Sequence, residues 1–181
     1  VYTDVFAPSK FTEADYRKDR ELREKIKKGE INRELTYSQA LAEAMREEMV
    51  KDETVFLMGE DVGLYGGAYG ASRGLWQDFG DWRVIDTPIS EATIGGAAVG
   101  AAMCGMRPIA EIMYVDFTPL CMDQVANQGG KNRYMFGGLT KVPMVLRTEG
   151  GAGRAIAAHH SQSLESLWTH LPGVYVVMPS T

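Results

Sequence analysis

An apolar pair, Val84-Ile85, runs into Asp86-Thr87-Pro88-Ile89-Ser90, and Glu91 follows at the head of a run made almost wholly of small residues, Ala92-Thr93-Ile94-Gly95-Gly96-Ala97-Ala98-Val99-Gly100. The pattern predicts a short strand, a proline-containing turn and a helix. Each glycine costs a helix up to about 1 kcal/mol relative to alanine, and Gly95, Gly96, Gly100 and Gly105 all fall in or beside this one. A chain accepts that cost where a second backbone must come very close, so the helix is expected to be buried against another element. Glu91 stands in its first turn, where the helix dipole favours negative charge. Taken alone, that is an ordinary first-turn acid.

The rest of the chain alternates between strand and helix signals. Thr36-Tyr37-Ser38-Gln39 is a capping box, and Ala40, Leu41, Ala44, Met45 and Met49 recur at helical spacing, which predicts an amphipathic helix over 36–51. Residues 54–58 have strand length and composition. They end in Gly59-Glu60-Asp61-Val62-Gly63, acids just past a strand's carboxyl end, where ligands bind in open α/β sheets; Glu60 is therefore a candidate site residue. Gly66-Gly67-Ala68-Tyr69-Gly70 is not a dinucleotide fingerprint. Residues 72–79 suggest a short helix with Trp76 packed inward, and 107–113 a strand with Pro108 near its start. Thr118-Pro119 then opens a helix reaching to about 134, with Met122 and Val125 inward. Gly129 and Gly130 suggest a second close contact, and Gly137-Gly138 ends the helix. Residues 142–147 read as a strand, 164–170 as a short helix and 174–178 as a β-rich run. The alternation predicts an α/β fold, a mostly parallel sheet with helices on both faces.

Composition removes several functions. The 181 residues carry 24 acids and 19 bases, a net charge of −5, which argues against nucleic-acid binding as the main activity. Cys104 and Cys121 are the two cysteines, without the spacing of a zinc site, and free thiols are expected. No metal site is expected on this chain. No apolar run reaches membrane-spanning length and no signal-peptide pattern occurs at Val1, so a cytoplasmic location and no membrane partner are expected. Neither a Gly-x-Ser-x-Gly elbow nor a Walker A sequence is present. Residues 1–33 differ from the remainder: Lys18 to Lys28 is dense in both charge signs and predicts a solvated helix that buries little. That stretch is an extension or a linker, or an arm that grips a partner subunit.

The spacing of Glu91, Gly96, Ala97 and Gly100 resembles the signature of the pyrimidine-binding domain of thiamine-diphosphate enzymes. The text over 86–111 is similar to the E1 beta subunits of 2-oxoacid dehydrogenase complexes. Cys104-Gly105-Met106-Arg107-Pro108-Ile109-Ala110-Glu111 and Arg133-Tyr134-Met135-Phe136-Gly137-Gly138 resemble the acetoin dehydrogenase branch most. The resemblance covers 34–181 and implies a pyrimidine-binding domain there, with the family's C-terminal domain absent from the 181 residues.

The resemblance also implies roles. Glu91 would hydrogen-bond the cofactor's aminopyrimidine ring and hold the proton that makes thiamine diphosphate reactive, and a carboxyl among small apolar residues would have a raised pKa. Met113 and Phe117 would pack against the ring, although by spacing alone both are ordinary core. Glu60 would help to hold the Glu91 proton. His160 would face substrate and the incoming lipoyl group as proton donor or orienter. The family usually has Gln before that histidine, so His159 is a departure. Met144 matches a position whose carbonyl binds potassium in some relatives, but no such metal is expected here. The sequence has no Gly-Asp-Gly, the motif that holds diphosphate and Mg²⁺ in these enzymes, so both are expected on a partner chain, an E1 alpha subunit, in an alpha2beta2 assembly that serves a lipoyl-bearing E2. Two other readings stay open: a non-catalytic assembly module using the glycine-rich helix as an interface, and the corresponding domain of a transketolase-type enzyme.

Overall fold

The computed structural model describes residues 12–30 and 34–179. Ten regular elements are described: α1 (Glu13–Lys27), α2 (Tyr37–Lys51), β1 (Val55–Gly59), α3 (Leu75–Phe79), β2 (Val84–Asp86), α4 (Glu91–Met103), β3 (Arg107–Glu111), α5 (Gly130–Met135), β4 (Val145–Arg147) and α6 (Glu165–Thr169). The strands form one four-stranded parallel sheet in the order β2-β1-β3-β4, the α/β class expected from the alternation. All five residues of β1 are buried, as expected of a strand covered on both faces.

The chain divides into two compact units, Val1–Leu57 with Asp61–Asp86, and Met58–Glu60 with Thr87–Thr181. In the first, α2 opens on the expected capping box: the Gln39 N–H donates to Thr36 Oγ1 at 3.3 Å and the Thr36 N–H to Gln39 Oε1 at 2.9 Å. Met45 and Met49 bury the inner face of α2. Arg83 closes its far end. The buried guanidinium donates to the carbonyls of Met49, Asp52 and Val55, so it supplies hydrogen bonds that the last turn of a helix cannot find within itself. On α3 the inward residues are Leu75 and Phe79. Trp76 is half-buried instead, with its indole N–H donating to Asp81 at 2.6 Å. The charged helix α1 is largely exposed where its side chains are described. Residues 1–11 and 31–33 of the expected extension lie outside the described residues.

In the second unit, α4 turns Ile94, Gly95, Ala98, Val99 and Ala102 inward. A Cβ built on Gly95 would lie 2.7 Å from the Cβ of Cys121, so this glycine does admit a close neighbour. The other end of α4 closes with Gly105 at φ 98°; the Met106 N–H donates to the Ala101 carbonyl at 3.0 Å, the left-handed cap that glycine adopts without strain. The opposite side of α4 (Ala92, Thr93, Ala97 and Gly100) is exposed, so only half of the expected burial is met within the chain.

Two expectations fail here. The single helix expected from Thr118 to about 134 is three pieces: a 3-10 segment Val115–Cys121, a π-helical segment Asp123–Gly129, and α5. Pro119 cannot donate the backbone hydrogen bond of a regular helix. At the other end, Gly129 packs against Val99 and Gly130 against the carbonyl of Pro172. The β-rich residues 174–178 pair with no strand among the described residues, and Tyr175 and Val177 are exposed.

Strands β3 and β4 run parallel with Glu111 opposite Arg147. Their side chains form a salt bridge and are 5% and 15% exposed. Burial pushes the Glu111 carboxyl above its ordinary value of 4.5, and the Arg147 charge and hydrogen bond pull it partly back.

Candidate functional site

Every residue singled out for chemistry belongs to the second unit. Glu91 is the first residue of α4, half-buried. The residue before it, Ser90, makes no side-chain cap bond to the helix backbone; its hydroxyl pairs with that of Thr93 at 2.8 Å. The negative charge of Glu91 is felt on the neighbouring segment. Burial pushes the Cys121 thiol up to about 11, a backbone hydrogen bond opposes this, and the Glu91 charge adds to the rise. The thiol therefore stays protonated at neutral pH, and its S–H donates to the Thr118 carbonyl at 3.2 Å.

Glu60 follows the last residue of β1 and is buried, 8% exposed. A carboxyl placed at the carboxyl end of a parallel strand, out of bulk water, occupies the part of an open sheet where ligands bind. Met113 and Phe117 are both half-buried, neither sealed in the core nor fully solvated. Met113 lies just past β3, and Phe117 in the 3-10 segment that packs on α4.

His160 stands against that segment. Its ring lies 5.3 Å from the Phe117 ring and 4.8 Å from the Tyr114 ring, close to perpendicular to both, and Tyr114 and Phe117 meet edge-on at 6.1 Å. Such edge-to-face geometry is the favoured packing of aromatic rings. His159 is exposed; of the vicinal pair, His160 is the one held. Phe117 and His160, chosen from distant parts of the sequence, are thus brought together.

Three residues without a signal of their own in the sequence complete this corner. Tyr114 precedes Phe117 by three, but in a stretch that reads as the end of a strand this spacing marks nothing. Asp116 accepts the Gln162 N–H at 3.1 Å. The Trp168 indole N–H donates to Thr118 Oγ1 at 2.8 Å, and the Thr118 hydroxyl donates to the Val115 carbonyl at 2.7 Å. The bonds from Gln162 and Trp168 cross 46 and 50 positions of sequence and fasten the histidine-bearing loop and α6 to the 3-10 segment.

Phe117 and His160 set an imidazole against an apolar ring, and Glu60, Glu91 and Met113 lie in the same unit. Among the described residues, no group of three or more His, Cys, Asp or Glu side chains is placed to hold a metal ion, and no helix is long and apolar enough to cross a membrane.

The chain is similar to several known proteins. The chain is 48% identical over 159 residues to the subunit beta of acetoin:2,6-dichlorophenolindophenol oxidoreductase from Cupriavidus necator, a match covering 82% of this chain and 47% of that protein. It is 51% identical over 160 residues to the Bacillus subtilis protein of the same name, with the same shares. To the mitochondrial pyruvate dehydrogenase E1 component subunit beta of Bos taurus it is 50% identical over 146 residues, 81% of this chain and 41% of that protein. The chain thus spans less than half the length of each of these relatives. Residues 33–181 match the family described as the pyrimidine-binding domain of transketolase, and the chain belongs to that family.

Proposed function

We propose that this chain is the pyrimidine-binding part of the beta subunit of an E1 component, of the acetoin or pyruvate dehydrogenase type, and that it supplies half of a thiamine diphosphate site. The observation that carries the reading is the placing of Glu91, half-buried at the head of α4, in the same unit as half-buried Met113 and Phe117 and a ring-packed His160. The names of the relatives, beta subunits of acetoin and pyruvate dehydrogenases, support it. Residues 34–181 form the pyrimidine-binding domain on this reading and residues 1–33 an extension. The assembly is alpha2beta2, serves a lipoyl-bearing E2, and works in the cytoplasm, in keeping with the bacterial origin of two of the relatives.

The residues present fit one end of the cofactor. Met113 and Phe117 offer apolar surface to an aromatic ring, and the Glu91 carboxyl offers a hydrogen-bond partner to a ring nitrogen. The sequence contains no Gly-Asp-Gly, so the diphosphate and its Mg²⁺ fall to an alpha-type partner chain. When bound, thiamine diphosphate supplies the nucleophilic carbon that breaks a carbon–carbon bond next to a carbonyl. Glu91 holds a proton at the ring nitrogen. His160 orients the substrate or donates a proton to it and faces the lipoyl group that takes the acyl unit. The exposed small-residue side of α4 is the seam against which the partner chain closes the site.

A second reading exchanges the carboxyls. Glu60 is the more deeply buried of the two, which favours it as the ring partner, with Glu91 in support. The variants Glu91→Gln and Glu60→Gln, assembled with the alpha-type subunit, separate the two. Glu91→Gln should keep assembly but lose turnover by about 100-fold or more. Full activity in Glu91→Gln with loss in Glu60→Gln would transfer the role to Glu60; full activity in both would reject the site. Calorimetric titration with thiamine diphosphate and Mg²⁺ should give heat only when both chains are present. No heat under either condition would favour a non-catalytic assembly module.

A further inference from the structure

The loop that carries His160 is held internally by two bonds, from the Ala155 N–H to the Ala152 carbonyl at 3.0 Å and from the Ile156 N–H to Ser161 Oγ at 3.1 Å. Ala155 and Ala157 sit in the left-handed region at φ 52° and 56°, which costs a residue with a Cβ. The His160 N–H donates to Ala157 only at 3.5 Å, and residues 152–159 are exposed. Shorter bonds lie on either side. The Val115 N–H donates to the Glu149 carbonyl at 2.6 Å, and the Gly151 N–H to Gln162 at 2.7 Å. They fix where the loop enters and leaves, not how the imidazole is turned.

What turns it is a pair of rings. Tyr114 is the nearer, with centroids 4.8 Å apart and planes at 89°, and Phe117 meets the imidazole at 5.3 Å and 88°. Tyr114 is itself held by an edge-on contact with Phe117 and by its place beside Val115, whose backbone is bonded to Glu149. Edge-to-face packing is a favoured arrangement of aromatic rings, and two such contacts on one imidazole favour one orientation over the others.

We infer that Tyr114 is a positioning residue, whose ring fixes the orientation of the His160 imidazole toward substrate. Its action depends on the ring, and it works through His160. The inference rests on the proposed role of His160, and the test separates the two.

In the full-length protein assembled with its alpha-type partner, the exchange of the imidazole C2 proton at His160, read by peptide mass spectrometry, reports how the ring is held without any need for turnover. Tyr114→Leu should accelerate that exchange and leave His170 unchanged, whereas Tyr114→Phe should match the wild type. Acyl transfer to the lipoyl acceptor should fall about tenfold in Tyr114→Leu through misplacement of the histidine and stay close to wild type in Tyr114→Phe. In a His160→Ala background, Tyr114→Leu should cost nothing further. If Tyr114→Leu does not assemble, Tyr114→Met, a long apolar side chain without a ring, takes its place. Unchanged exchange at His160 in the ringless variant, equal loss in Tyr114→Phe, or additive losses in the double variant would each overturn the inference. Full activity of His160→Ala would remove the role of His160 itself, and the exchange measurement would still decide whether Tyr114 orients it.

Discussion

Glu111 and Arg147 form a buried ion pair whose charges face each other from adjacent strands. Removing a carboxylate from water outweighs the attraction of the arginine here, and the Glu111 carboxyl is raised above 4.5. The folded chain therefore binds this proton more tightly than the unfolded chain does. Its contribution to stability is fully present below about 4.5 and is lost as pH rises through the raised value. Glu111→Gln has no such proton to lose. Urea midpoints between pH 4 and 7 should show wild type losing stability relative to the variant as pH rises; an advantage that grew with pH would refute this. The partnership was not legible in the sequence, because Arg147 lies 36 residues away and only the parallel register makes the two neighbours. The same holds for Tyr114 and His160. Glu91 and Glu60 could be singled out from one stretch each, since position at a helix head or strand end is a local property.

Among the elements, α4 was the most legible, and its glycines divide in a way no sequence pattern displays. Gly95 faces Cys121, whereas a Cβ added at Gly100 would meet nothing within 4 Å among the described residues. Gly95→Ala should destabilise the chain by about 1–2 kcal/mol, since overpacking outweighs the gain in helix propensity. Gly100→Ala should stabilise it by up to about 1 kcal/mol. Thermal melts of the two variants check both, and a stabilised Gly95→Ala would mean that Cys121 moves aside at little cost. The capping box of α2 was legible for a related reason: its bonds span three residues. The break of the long helix into 3-10, π and α pieces was not, and the residues packed against its glycines, Val99 and Pro172, come from elsewhere in the chain.

Across the whole molecule, apolar side chains are left in water on the second unit. Tyr134 and Leu139 are each 91% exposed and Tyr175 is 96% exposed. Where such side chains gather into one patch, they mark contact sites or a tendency to aggregate. The 181-residue chain alone should associate in a concentration-dependent manner in sedimentation velocity, and an alpha-type partner should replace that with one defined species; a monodisperse monomer at high concentration would contradict this. The bare flank of α4 has a related effect. Helix axes ordinarily pack about 8–10 Å apart, at a spacing set by the side chains between them. Where those are hydrogen or methyl, a facing helix can settle at the short end of that range, and one added carbon would push it outward. Gly100→Ala should then strengthen the lone polypeptide while loosening its grip on whatever docks there, so tolerance at that position is decided by the neighbour and not by the fold.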